Sequence, residues 1–327
     1  MKPSVLITRK LSDSILNRIR ESCEVIVWEN EDTPIPRKLL ESKIPEVDGL
    51  LCLITESIDK ELLDKAKNLK IISNMAVGYN NIDVEAATDK GIMVTNTPDV
   101  LTETTADLTF ALLMATARRL VEASDYLRDG KWQTWSPMLL TGQDVYGATI
   151  GIIGMGRIGE AVAKRAKGFN MNILYHNRNR KSDVEQELEA HFVDFNTLLQ
   201  QSDFVVVMTP YSAETRNLIT AEHFKLMKKN AILINSARGG IVNENDLYEA
   251  LVNNEIWAAG LDVFEEEPVP TDHPLLTLNN VVTLPHIGSA SYNTRMKMAD
   301  LAATNLLMGV NGEKPLNLVN SSVREKY

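Results

Sequence analysis

Residues 148–169 read ATIGIIGMGRIGEAVAKRAKGF. An apolar, β-branched run ending at Ile153 leads directly into Gly154-Met155-Gly156-Arg157-Ile158-Gly159, and the chain then continues with a helical pattern. Glycine patterns occur by chance, but between a buried strand and a helix each glycine has a task. Gly154 makes the turn, Gly156 lets the backbone approach a pyrophosphate, and Gly159 lets the helix pack on the sheet. The free N–H groups at the helix start attract the phosphates. The stretch predicts a dinucleotide-binding strand–turn–helix unit.

Downstream, MNILYH (171–176), DFVVVM (203–208), AILINS (231–236), AAGLDVF (258–264) and NVVTLP (280–285) read as further strands separated by helices. With the first they make six, the count of a doubly wound (Rossmann) fold. Upstream, VLIT (5–8), VIVW (25–28), LLCLI (50–54) and KIIS (70–73) alternate with amphipathic stretches such as SDSILNRIRES. Continuous apolar strands of this kind indicate a second parallel sheet covered on both faces. After Pro98-Asp99 the segment TETTADLTFALLMATARRLVEASDYLRDG reads as one long helix to Gly130. SASYNTRMKMADLAATNLLMGV reads as another, capped by Gly309 or Gly312. If that last helix packs back on the first sheet, residues 100–285 form a dinucleotide-binding domain inserted into a domain made of 1–99 plus 286–327. The expectation is a two-lobed α/β protein with a cleft between the lobes.

Composition limits the function classes. A formal charge of −10 argues against a polyanionic partner such as nucleic acid. No apolar run approaches the roughly 18 residues that would span a membrane, and the N-terminal run is too short for a signal peptide. Two cysteines, Cys23 and Cys52, do not make a disulfide framework. The expectation is a cytoplasmic protein with no membrane or nucleic-acid partner. His176, His191, His223 and His273 lack metal-ligand spacing, so no metal site is expected.

Seventeen residues after Gly159, where such folds usually place a carboxylate that reads the adenosine ribose, the chain reads His176-Asn177-Arg178-Asn179-Arg180-Lys181. A carboxylate there would repel a 2′-phosphate, whereas Arg178 and Arg180 can pair with one. NADP(H) is the expected cofactor, with NAD(H) tolerated.

Three segments stand at the carboxyl ends of the later strands, where ligands bind in such sheets. They are INSARGG with Arg238, GLDVFEEEP with three glutamates, and TLPHIGSAS with His286. Singly, they read better as a surface residue, a solvated run and a loop histidine. Together, behind a nucleotide fold, they suit reduction of a 2-oxo acid. A cation would hold its carboxylate and carbonyl, and a histidine tuned by a carboxylate would protonate the new alkoxide.

Over essentially its whole length the sequence resembles the D-isomer-specific 2-hydroxyacid dehydrogenases. The carrying segments are VGYNNID (77–83), GIIGMGRIGEAVAKR (151–165), INSARGGIVNENDLYEAL (234–251), GLDVFEEEP (260–268) and LPHIGSAS (284–291). Within the family it is most similar to the glyoxylate/hydroxypyruvate reductases, through TPDVLTETTADL and PTDHPLLTLNNVVTLPHIGSA, and it also resembles archaeal glyoxylate reductases. The resemblance implies a Rossmann domain inserted into a flavodoxin-like substrate domain. It implies that Arg238 holds substrate and that His286 moves the hydroxyl proton. Of the three glutamates it selects Glu267, next to Pro268. It implies substrate contacts from Val77 and Gly78, with Leu53 or Ile54 lining the wall and Ser289 adding a contact. Implied cofactor contacts are the Gly154–Gly159 turn (Met155, Gly156, Arg157, Ile158), Asn177, Arg178 and Asn179 at the ribose or its phosphate, and Thr209-Pro210. Ser236, Ala237, Arg238, Asp262, His286 and Gly288 would surround the nicotinamide.

KWQTWSPMLLTG (131–142) resembles the arm through which these enzymes form homodimers, with Leu139 where vertebrate reductases carry a tryptophan. The expected activity is NADPH-dependent reduction of glyoxylate to glycolate and of hydroxypyruvate to D-glycerate. The alternatives are 2-ketogluconate reduction and, from a different class, a non-catalytic NAD(P)-sensing module.

Overall fold

Four short apolar runs form β1 (Ser4–Ile7), β2 (Glu24–Val27), β3 (Gly49–Cys52) and β4 (Ile71–Asn74), and a strand not expected from the sequence, β5 (Met93–Thr95), completes their sheet. β5 escapes notice because three residues give way at once to Asn96-Thr97-Pro98. Every pairing is parallel and the order is β2-β1-β3-β4-β5, the flavodoxin-like arrangement. β3 and β4 are buried along their whole length, as central strands of a sheet covered on both faces must be. The helix Tyr292–Val310 packs on β3 and β4, with Ser291 as its N-cap accepting the Thr294 N–H. Of the two glycines offered as its cap, Gly312, at φ +77°, follows the last turn. Gly309 lies within the helix, where a Cβ would come 2.3 Å from Ile71.

The computed structural model describes residues 2–326. It divides them into two units, one running to Leu101 and resuming at Ser291, the other spanning Thr102–Ala290. The sequence-based expectation places the boundaries at 99/100 and 285/286. Residues 286–290 go with the second unit because Ile287 and Gly288 donate their N–H groups to Asp262, within that unit.

The second unit holds β6 (Thr149–Ile153), β7 (Asn172–His176), β8 (His191–Phe192), β9 (Phe204–Val207), β10 (Ile232–Asn235), β11 (Ala258–Leu261) and β12 (Val281–Thr283). The sheet order is β12-β11-β10-β9-β6-β7-β8, all parallel. It has seven strands rather than six, since β8 is only two residues long and leaves no periodic signal. The reversal of order beside β6 is the switch point at which such sheets bind ligands. Along β9, Phe204 and Val206 enter one core layer and Val205 and Val207 the other, the period of two expected of a strand. Each such side chain contributes about 1.5–3 kcal/mol by leaving water.

The long helix expected over 102–130 is two helices, Thr102–Ala117 and Leu120–Arg128. The carbonyl of Ala117 accepts the Gln143 N–H at 2.8 Å, and Gly142 lies so close that a Cβ would fall 2.1 Å from that oxygen. With that carbonyl diverted, Arg119 turns left-handed at φ +52°. An apolar periodicity continuous across 102–130 does not register a crossing by residues 142–143. Residues 131–142 form an irregular arm, with Trp135 77% and Met138 75% exposed. Among the described residues no helix is long and apolar enough to cross a membrane.

Candidate active site

The glycine turn has the geometry its spacing predicts. Gly154 adopts φ +100°, and a Cβ there would lie 2.7 Å from the Met208–Thr209 backbone, so only glycine fits between β6 and the end of β9. A Cβ on Gly159 would fall 2.4 Å from the Gly154 carbonyl, which is how closely the helix Arg157–Gly168 meets the turn. At Gly156, by contrast, nothing lies within 4 Å of a Cβ position. Open space over a bare backbone at the start of a twelve-residue helix fits a pyrophosphate. The Met155 N–H donates to the Asn177 side chain at 2.8 Å and the Met155 side chain is fully buried, which ties the turn to the end of β7.

The same bond fixes Asn177 and orders the end of β7. Arg180 grips Glu185 through Nε and Nη2 at 2.7 Å each, and Glu185 also accepts the Tyr175 hydroxyl. The Arg180 and Tyr175 bonds hold the Glu185 carboxyl at about 2. Lys181 pairs with Glu160. Arg180 is thus engaged with Glu185 in this structure. Arg178 is 89% exposed and meets Glu214 only at 3.5 Å.

β10 ends at Asn235, whose side chain accepts the Ala237 N–H at 3.1 Å and donates to the Arg238 carbonyl at 2.9 Å. That hook presents half-buried Arg238, with Nη1 donating to the Ala237 carbonyl at 2.7 Å. Burial pulls the guanidinium below its ordinary value, opposed by the charge of Glu267. Gly239 lies directly against the chain after β11: a Cβ would sit 1.8 Å from the Phe264 carbonyl. Bare backbone at 239 thus brings the Arg238 segment against the one carrying Glu267.

Glu267 Oε1 accepts the Phe264 N–H at 3.0 Å, and Oε2 lies 2.6 Å from His286 Nδ1. Partial burial pushes the Glu267 carboxyl up. The bond and charge of His286, the Phe264 N–H and the charge of Arg238 outweigh it, so the group lies below the ordinary carboxylate range. The two side chains remain 26% (His286) and 31% (Glu267) exposed, open enough to meet a ligand. His286 is itself left-handed at φ +53°, a conformation costing a non-glycine residue on the order of 1–3 kcal/mol. Asp262, wholly buried, compensates by accepting the Ile287 and Gly288 N–H groups at 2.8 Å each. Burial raises its carboxyl despite those two bonds and the charge of His286. Asp262, named from sequence as a cofactor contact, anchors the histidine turn. Ser236 is buried, its hydroxyl 2.6 Å from that of Thr109. Ala237 and Ser289 are half-buried, while Thr209 and Pro210 follow β9 beside Gly154.

In the first unit, Val77 and Gly78 form the loop after β4. Its carbonyls are held by asparagines: Asn96 donates to Val77 at 2.9 Å and Asn74 to Gly78 at 2.9 Å. Leu53 donates its N–H to the buried Glu56 carboxylate at 2.8 Å. None of these supporting side chains stands out in the sequence, because a lone asparagine or glutamate carries no motif. Among the described residues no group of three metal-ligating side chains converges.

Residues 110–288 match the family described as D-isomer specific 2-hydroxyacid dehydrogenase, NAD binding domain. A glyoxylate reductase of Pyrococcus horikoshii is 53% identical over 327 residues, covering 99% of this chain and 97% of that one. The chain belongs to the D-isomer-specific 2-hydroxyacid dehydrogenase family. Solved structures agree. A protein from Thermus thermophilus is 46% identical with a TM-score of 0.90, covering 97% of this chain and 99% of its own. The NADPH-dependent glyoxylate/hydroxypyruvate reductase of Sinorhizobium meliloti, in complex with NADP and malonate, is 34% identical with a TM-score of 0.86, covering 99% and 98%. As a 2-hydroxyacid dehydrogenase, the chain is an oxidoreductase that binds a nicotinamide dinucleotide and acts on small 2-oxo or 2-hydroxy acids.

Proposed function

We propose that this dehydrogenase is an NADPH-preferring reductase of glyoxylate and hydroxypyruvate, using Arg238, Glu267 and His286. The observation that carries the reading is the 2.6 Å Glu267–His286 pair next to the Arg238 segment, in the unit that holds the glycine turn. The similarity to glyoxylate reductases supports the substrate class.

Gly156 and the first turn of the helix Arg157–Gly168 would hold the pyrophosphate, with Thr209, Pro210, Ala237 and Gly288 toward the nicotinamide. Bound there, the reduced nicotinamide supplies a hydride to the substrate's carbonyl carbon. Arg238 donates N–H bonds to the substrate carboxylate and carbonyl oxygen, and its charge stabilises the oxyanion as it forms. Glu267 holds the imidazole through Nδ1, which leaves Nε2 to deliver the proton to that oxygen. One hydride and one proton convert the 2-oxo acid into its 2-hydroxy acid. Leu53, Val77, Gly78 and Ser289 are candidate substrate contacts on family resemblance alone. The exposed tryptophans and Met138 of the arm support a homodimer contact, since large apolar side chains are unfavourable in water.

The NADPH preference is read from the missing acid after β7 and from exposed Arg178. Replacing Arg178 with alanine should weaken NADPH binding by about 10- to 100-fold, the worth of a charged hydrogen bond, and leave NADH nearly unchanged. Titrating both nucleotides against the variant by fluorescence checks this, and an equal loss for both returns Arg178 to the solvent. A panel of 2-oxo acids assayed with each nucleotide tests the whole reading. Glyoxylate and hydroxypyruvate should turn over fastest, with NADPH. Faster 2-ketogluconate turnover would reassign the substrate, and nucleotide binding without any turnover would indicate a sensing module.

A further inference from the structure

A second glutamate and histidine lie side by side in the same unit, and the reaction above uses neither. Glu244 opens the helix Glu244–Val252, which is capped by Asn243. Its Oε1 accepts the Glu265 N–H at 2.6 Å, and its Oε2 lies 3.1 Å from His273 Nε2. Glu265 and His273 are the two ends of the segment that carries Glu267. One carboxylate therefore holds both ends. The contact is well shielded, with Glu244 14% and His273 20% exposed. His273 Nδ1 is buried with no partner among the described residues, so the arrangement is satisfied by Nε2–H donating to Glu244. The His273 ring also meets the edge of the Phe264 ring, centroids 6.0 Å apart. The N–H of that same Phe264 bonds Glu267 Oε1 at 3.0 Å.

We propose that Glu244 and His273 are positioning residues that staple the 265–273 segment and so set Glu267 against His286. The inference rests on the catalytic reading given above. Neither residue touches the reacting atoms. Their effect passes through a Glu267–His286 bond of 2.6 Å, a distance that leaves little room for drift of the carboxylate. Packing alone would place a hydrophobe at 273. A half-buried His–Glu contact reaching across the segment is a directional restraint instead.

The test combines Glu244→Ala with Glu267→Gln. Glu244→Ala alone should lower kcat about 10- to 100-fold, as for an ångström-scale misplacement of a catalytic group. NADPH affinity and the KM for the 2-oxo acid should stay near their original values, so that the loss falls on kcat. Glu244→Gln keeps an oxygen for the Glu265 N–H and should recover part of the rate. In the Glu267→Gln background, adding Glu244→Ala should cost about twofold or less, because its route of action is already gone. A full penalty in that background, or a loss carried by KM with kcat unchanged, overturns the staple. If Glu244→Ala fails to fold, His273→Phe, which keeps a ring against Phe264 and removes the bond, is read by the same criteria. Near-normal turnover of Glu267→Gln by itself is a separate result, and overturns the catalytic reading on which the staple rests.

Discussion

Arg238→Ala should lower kcat/KM for 2-oxo acid reduction by about 10³-fold or more, with nucleotide affinity little changed. Removing a single donor aimed at a developing oxyanion costs about 10² to 10³-fold. Arg238 is proposed to serve the substrate carboxylate as well, so ground-state binding is lost in the same step. KM should rise and kcat should fall together, the signature of a group used both before and during the chemical step. Arg238→Lys should recover only part of the loss, because an ammonium cannot reproduce a planar fork of donors. Steady-state kinetics with glyoxylate and NADPH, beside a nucleotide titration, checks all three statements. Near-normal kcat/KM in Arg238→Ala would remove Arg238 from the site.

Loss of the guanidinium should also reach its neighbour. Glu267 lies below the ordinary carboxylate range partly through the charge of Arg238, against the upward push of burial. Without that charge, Glu267 should be protonated more readily as pH falls, and the acid end of the activity profile should contract in Arg238→Ala.

How much of this is legible in the chain depends on the length of the signal. The glycine turn is readable because six residues join a strand to a helix, and each glycine meets a distinct steric demand at Gly154, Gly156 and Gly159. The long apolar strands are equally plain. β8, two residues long, and β5, three, carry no period to read. The break at Arg118–Arg119 depends on a crossing by residues 142–143, a tertiary contact that overrides an unbroken apolar pattern. In the site, the structure brings Glu267 and His286 together as family resemblance implied. Asp262 and Glu244 accept backbone N–H groups 25 and 21 residues along the chain, and bonds that distant leave no local trace. The ion pair of Arg180 is illegible for a related reason. Its partner, Glu185, lies five residues away, where a charge cluster reads the same whether it is paired or not.

His286→Ala should lower kcat for reduction by about 10² to 10⁴-fold, the usual worth of a general acid. Reduction takes up a proton at the new hydroxyl and oxidation of the 2-hydroxy acid releases one, so loss of the imidazole should slow both directions. Glu267 acts at the acid end. A carboxyl held below its unfolded value adds stability that is present above that value and disappears as pH falls through the lower, folded one. The Glu267–His286 pair should therefore stay intact across the neutral range and weaken only in acid. His286→Ala should also relieve nothing at Asp262, whose oxygens hold the following two amides whatever side chain residue 286 carries. The variant should keep its fold and its nucleotide affinity while losing turnover, separating a chemical role for the imidazole from a structural one. Near-normal turnover in both directions would show that some other group carries the proton.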